Sequence, residues 1–288
     1  MFLFYRRSKV YLTSIAKIKK IAIFQRENFY PEFAKKRKES IIQYLYFLSH
    51  LMIKAVLFDL DDTLYDYEAA HQVALKKVFT KLVTTTGKSV EMLQIVFEIS
   101  QKEIKRQLVG LSASHNKDLY FQRFFEHLNK EMKNKILPRE IIDCYEGYRK
   151  SFYKAMRKER ATKQLLEYLK NKGIKTWLVT DSFLYSQLHK MEILEISTLI
   201  NVLVSSEEAG AKKPQAWPFL LATHKLGVLA NECIMVGDAI ARDIEGGNAL
   251  GMKTIRINRH HKTDQGIRYD HKVETTQELF KLIKKLIE

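Results

Sequence analysis

Ile53-Lys54-Ala55-Val56-Leu57-Phe58-Asp59-Leu60-Asp61-Asp62-Thr63 changes character halfway along its length. Up to Phe58 it is a short, nearly continuous apolar run, as expected of a strand covered on both faces in a parallel sheet. From Asp59 onward it turns acidic. Neither Asp59 nor Asp61 is needed merely to end a strand. In open α/β sheets, ligands bind outside the carboxyl ends of the strands, so aspartates in this place ask for a chemical reason.

Downstream of this stretch, about a hundred residues carry helical spacing and no comparable strand signal. Val73, Val78 and Leu82 share one stripe, Leu93, Val96 and Phe97 another, and Leu119 to Leu128 a third. Pro138 opens a further helix, since proline is tolerated in a first turn. The aromatic run Tyr120-Phe121 and Phe124-Phe125 reads as the core of this block. The spacing therefore predicts an all-helical insert over residues 67–159.

A strand–helix alternation follows. A helix over Thr162–Lys172 is closed by Gly173, and strands are predicted at Lys175–Thr180, Asn201–Ser205, Cys233–Val236 and Lys253–Ile257. Helices are predicted near 183–194, 215–226 and 241–250, with a last amphipathic one over Thr276–Ile287. The pattern gives an α/β class: a Rossmann-like, doubly wound parallel sheet built from residues 52–66 and 160–288, interrupted by the helical insert.

Other strand ends are polar too. Trp177-Leu178-Val179 ends in Thr180-Asp181-Ser182, and Met235-Val236 runs into Gly237-Asp238, with Asp243 five residues on. Between them lies Gly210-Ala211-Lys212-Lys213-Pro214. In order and spacing, Asp59/Asp61/Thr63, Thr180, Lys213 and Gly237/Asp238/Asp243 resemble the four motifs of the haloacid dehalogenase superfamily, over residues 52–260.

That resemblance implies phosphoryl transfer. Such chemistry needs an in-line nucleophile, a cation for the non-bridging oxygens and fixed donors around them. On the family's pattern Asp59 is the nucleophile and forms an aspartyl-phosphate. Asp61 protonates the leaving oxygen and later takes a proton from water. Carboxylates converging at one strand end repel one another unless a cation sits among them, and Mg²⁺ suits such a site. The resemblance gives it Asp59, Asp238 and the backbone carbonyl of Asp61 as ligands. Asp243 then acts through water or by holding Lys213, while Thr180 and Lys213 donate to the phosphoryl oxygens. The presence of Asp61 favours an oxygen leaving group, because dehalogenases and phosphonatases of the superfamily lack the second aspartate.

Three segments depart from the usual pattern. Asp181 replaces asparagine and adds a negative charge beside the phosphate site. Gln215-Ala216 follows Lys213-Pro214, and Ala239 stands where serine or threonine is common. The implied helical cap selects the substrate, a small phosphomonoester such as a sugar phosphate or nucleoside monophosphate. Arg106, Arg123 and Arg157 are candidates for holding a second anionic group. The segments Asp59–Asp66 and Ser206–Lys213 lean toward the branch with pyrimidine nucleotidases and acylneuraminate phosphatases. A phosphomutase using the same motifs is the alternative.

Composition sets the outer bounds. The 288 residues are 46% hydrophobic and 28% charged, as in a soluble globular protein. Cys144 and Cys233 form no CxxC pair, so a reducing, cytoplasmic setting is expected. No apolar run reaches the roughly 18 residues of a membrane span. The net charge is +16, and +8 of it lies in residues 1–51, which include Lys35-Lys36-Arg37-Lys38. Three readings of this extension stay open: an artefactual start with Met52 as the initiator, a basic arm for membrane or nucleic acid, or an organellar transit peptide. The arm supplies a second function class, a non-catalytic binding protein. No nucleic acid is obligatory to the enzymatic reading, and a monomer or homodimer is expected.

Overall fold

The computed structural model describes residues 53–133, 135–264 and 266–288. The extension ahead of Met52 and its three readings lie outside them. Six parallel strands form one sheet in the order β3-β2-β1-β4-β5-β6. They are β1 (Ala55–Phe58), β2 (Lys175–Thr180), β3 (Val202–Ser205), β4 (Cys233–Gly237), β5 (Lys253–Ile257) and β6 (His271–Val273). Every residue of β1 is fully buried, as its unbroken apolar run requires. Two apolar clusters face the two sides of the sheet. One contains Val56, Phe58, Leu178 and Val236; the other contains Ala55, Leu57, Trp177 and Met235. The period-2 split is that of a strand with helices on both faces.

Between β1 and β2 run α1 (Tyr67–Thr86), α2 (Val90–Gln107), α3 (Lys117–Glu131), α4 (Pro138–Ala155) and α5 (Arg160–Asn171). Asp66 caps α1 by accepting from the Ala69 N–H, and Gly87 ends it in the left-handed conformation. Phe79, Phe97, Phe121 and Phe124 pack edge-on or tilted against one another in the core of the insert. The aromatic run of α3 is thus core, as its spacing predicts. After β2 come α6 (Leu184–Leu194), α7 (Ser206–Ala209), α8 (Ala216–Leu226), α9 (Glu245–Ala249) and α10 (Thr276–Ile287).

Two features were not anticipated by the sequence reading. The short edge strand β6 carries one buried residue, Val273, too little apolar signal to reveal it. Residues Ile240–Ile244 form a π-helical turn ahead of α9, and the turn buries Asp243 completely. Among the described residues, no helix is long and apolar enough to cross a membrane.

Candidate active site

Parallel register fixes the site. Phe58 pairs with Leu178 of β2 and with Val236 of β4, so the segments leaving all three strands emerge at one edge of the sheet. The Asp59 N–H still donates to the Val236 carbonyl at 2.9 Å. Three residues later Asp62 adopts a left-handed backbone (φ 61°), which aspartate tolerates better than most residues. Its carboxylate accepts from the Glu68 N–H at 3.0 Å, tying the turn to the start of α1.

Lys213 is the centre of the arrangement. Its Nζ lies 2.6 Å from Asp59 Oδ1 and 2.6 Å from Asp243 Oδ1, and donates to the Val179 carbonyl at 2.8 Å. The neighbouring Lys212 points elsewhere, to Ser114 Oγ at 3.1 Å. Asp243 is itself held by the Ala239 N–H, at 3.0 Å. A Cβ on Gly237 would fall 2.3 Å from Asp243 Oδ2, so glycine here is a matter of space. Burial by itself would lower the Lys213 ammonium, but Asp243 and Asp59 outweigh it and hold the pKa above that of an ordinary lysine.

Asp181 lines the cavity and also has a local partner: it accepts from the Lys213 backbone N–H at 2.8 Å. Arg242 stands 3.5 Å from its other oxygen. The carboxylate in the asparagine position anchors the lysine loop.

Carboxylate oxygens of Asp59, Asp238 and Asp243 lie within 4.8 Å of one another. Burial pushes the Asp59 carboxyl up to about 8, Lys213 opposes this, and Asp243 and Asp238 reinforce it. A buried Asp59 carboxyl whose ionisation is disfavoured, with the oxygens of Asp238 and Asp243 beside it, is a fitting environment for a small divalent cation, which would restore the charged form. Asp238 is also reached by Lys262, at 3.0 Å.

Asp61 has a different partner, one missed from the sequence. Lys190 of α6 binds both its oxygens, at 2.7 and 2.6 Å, and the Tyr65 hydroxyl donates to it at 2.6 Å. Burial would raise the Asp61 carboxyl, but Lys190 and then Lys117 outweigh it and hold it below the usual carboxylate range. A signal for Lys190 did exist. It shares a buried stripe of α6 with Gln187, Met191 and Leu194, where a lysine is out of place unless paired.

Asp59, Asp61, Thr180, Asp181 and Asp238 line a cavity of about 400 Å³. The opposite side comes from the insert: Tyr67 and His71 of α1, Lys102 and Lys105 of α2, and His115 and Lys117 at the start of α3. None of the three arginines expected to face this cavity does so. Arg123 pairs with Glu103 and Glu126 at 3.1 and 2.9 Å, and Arg106 lines the same separate surface depression. Arg157 donates to the carbonyls of Lys154 and Met156.

Residues 53–251 match the family of haloacid dehalogenase-like hydrolases. A ribulose-1,5-bisphosphate 5-phosphatase of Halopiger xanaduensis is 29% identical over 81% of this chain and 100% of its own. A glyceraldehyde 3-phosphate phosphatase of Methanopyrus kandleri is 26% identical over 82% of this chain and 99% of its own. Among solved structures, a HAD phosphatase from Thermococcus onnurineus superposes with a TM-score of 0.61 at 26% identity, covering 80% of this chain and 97% of that one. With the four motif segments at one sheet edge and a family match over most of its length, the chain belongs to the haloacid dehalogenase-like hydrolases.

Proposed function

We propose that this hydrolase is a magnesium-dependent phosphatase acting on a small sugar-phosphate-type monoester through an aspartyl-phosphate. The observation that carries the reading is the buried Asp59–Lys213–Asp243 cluster opening onto a cavity of substrate size. The names of the two relatives compared above, both phosphatases, point the same way.

Asp59, Asp238 and the backbone carbonyl of Asp61 would hold Mg²⁺. When bound, the ion neutralises the carboxylates and draws charge from the non-bridging oxygens. Asp59 attacks phosphorus and the P–O bond to the alcohol breaks. Asp61, ionised beside Lys190 at rest, takes up a proton from solvent as substrate enters and passes it to the departing oxygen. A water then attacks the phosphorus of the acyl phosphate, giving its proton to Asp61, and Asp59 is released with inorganic phosphate. Lys213 and Thr180 hold the transferring group, while Asp243 and Asp181 fix Lys213 by its ammonium and its N–H. Residues 67–159 serve as a cap on a core of 52–66 and 160–288, keeping bulk water from the acyl phosphate.

The experiment is a panel of phosphate esters with phosphate release as readout. Turnover is expected with Mg²⁺, is lost in EDTA and is blocked by Ca²⁺, whose looser, higher coordination draws Asp59 away from attack. Full activity in chelator would refute the reading.

A further inference from the structure

The cavity is electrically divided. On the strand-end side four carboxylates have a cation: Asp59 has Lys213, Asp61 has Lys190, Asp181 has Arg242 and Asp238 has Lys262. On the insert side the relation is reversed. Lys102, Lys105 and Lys117 line the space, and none makes an ion pair with a described residue. Lys102 and Lys105 sit with Glu98 and Gln101 on one face of α2, at helical spacing. Both acidic lining residues of this side are bonded within their own helices, Glu68 to Gln72 and Glu98 to Gln94.

Lys117 is the most constrained of the three. Its ammonium stands 5.1 Å from the centre of the Tyr67 ring, while Lys190 occupies a second place over that ring, at 5.4 Å. Two ammonium groups thus share one aromatic ring, and the second is committed to Asp61. Burial, Lys190 and Lys105 lower the Lys117 pKa to about 8, against the smaller pull of Asp61 and Asp118. His115 beside it is held neutral, its pKa lowered to about 2 by burial and the surrounding cations. An ammonium drawn from water beside other cations, as that of Lys117 is, is costly unless an anion completes it.

We propose that the substrate carries a second anionic group, a phosphate or a carboxylate, received by Lys105 and Lys117 while the reacting phosphate lies at Asp59. This deepens the phosphatase reading and rests on it. The chemical class is therefore a bisphosphate or a phosphorylated acid, and the two lysines are specificity-determining residues contributed by the insert.

The test compares kcat/KM for three probes: a sugar bisphosphate, 3-phosphoglycerate and glycerol 3-phosphate, which has no second anion. The wild type is expected to favour at least one doubly anionic probe over glycerol 3-phosphate by about tenfold or more, the worth of one charge-assisted contact. Which probe wins distinguishes phosphate from carboxylate. Lys105→Met and Lys117→Met should each lower that preference severalfold, mainly through KM. Lys117→Arg should keep most of it, and Arg157→Ala, away from the cavity, should leave it alone. Equal kcat/KM for all three probes in the wild type would overturn the second-anion site and leave the phosphatase intact. Absence of turnover on every ester would bring down both readings. The wild-type ratio needs no variant, so a substitution that fails to fold leaves the test standing.

Discussion

The two sides of the cavity are built on opposite electrostatic plans. At the strand ends, charges are buried, paired and bonded to backbone, as Lys213 is to Asp59, Asp243 and the Val179 carbonyl. On the insert, charges are left open toward the cavity. Buried pairs of the first kind hold geometry, since breaking one leaves an uncompensated charge. Of the second kind, Lys117 is drawn from water beside other cations, which lowers stability unless an anion binds there. On the proposed reading, one side positions the reacting atoms and the other selects what reaches them.

The largest expected effect lies on the strand-end side. Asp59→Asn removes the attacking carboxylate with little change of shape and should cut phosphate release by roughly a thousandfold or more. Circular dichroism should be unchanged. Residual activity above a few per cent in a clean preparation would remove Asp59 from the mechanism.

Next comes Lys190→Met, which tests whether Asp61 belongs to the paired plan. Without the ammonium, burial acts on Asp61 unopposed by its main partner, so its carboxyl rises from its depressed position. In the proposed mechanism Asp61 is the base of the second step, so the acid limb of the kcat profile should move to higher pH. A fall in kcat of roughly tenfold to a hundredfold is expected. An unmoved limb would mean that Lys190 only packs against Tyr67 and Phe152.

The smallest effect concerns the insert and has the opposite sign. Burial and the neighbouring cations lower the Lys117 pKa to about 8 in the folded chain, from the 10.5 of an ordinary lysine. Its native proton is therefore held less tightly, and the charged form opposes folding at neutral pH. From pH 8 toward 10.5 the penalty disappears. Lys117→Met should raise Tm by a few degrees at pH 7 and by less at pH 9.5. A drop in Tm at pH 7 would show the lysine to be structurally satisfied and would erase the contrast between the two sides.

What could be read in advance follows the same division. Asp59, Thr180, Lys213 and Asp238 stand next to strands whose apolar runs announce them, so position and chemistry were legible together. Lys117 and Lys190 sit on helices, where the side facing the site depends on how each helix packs. Arg123 shows the converse: its charge suggested a site residue, but Glu103 and Glu126 lie closer to it than the cavity does. Asp181 was legible as a departure yet not as an anchor, because its partner is a backbone N–H 32 residues away. The edge strand β6 escaped because three residues with one buried side chain leave no period to detect.

The strand order has a consequence for durability. β1 is bordered by β2 and β4, and two further strands lie beyond β4. Opening of the sheet from its edges would release β3 or β6 first, so the amides of Val56 to Phe58 should be among the last to exchange with solvent. Asp59 is attached directly to that strand. A molecule with frayed margins would keep Asp59 in place, and prolonged heating should consume the outer strands before it disturbs that residue.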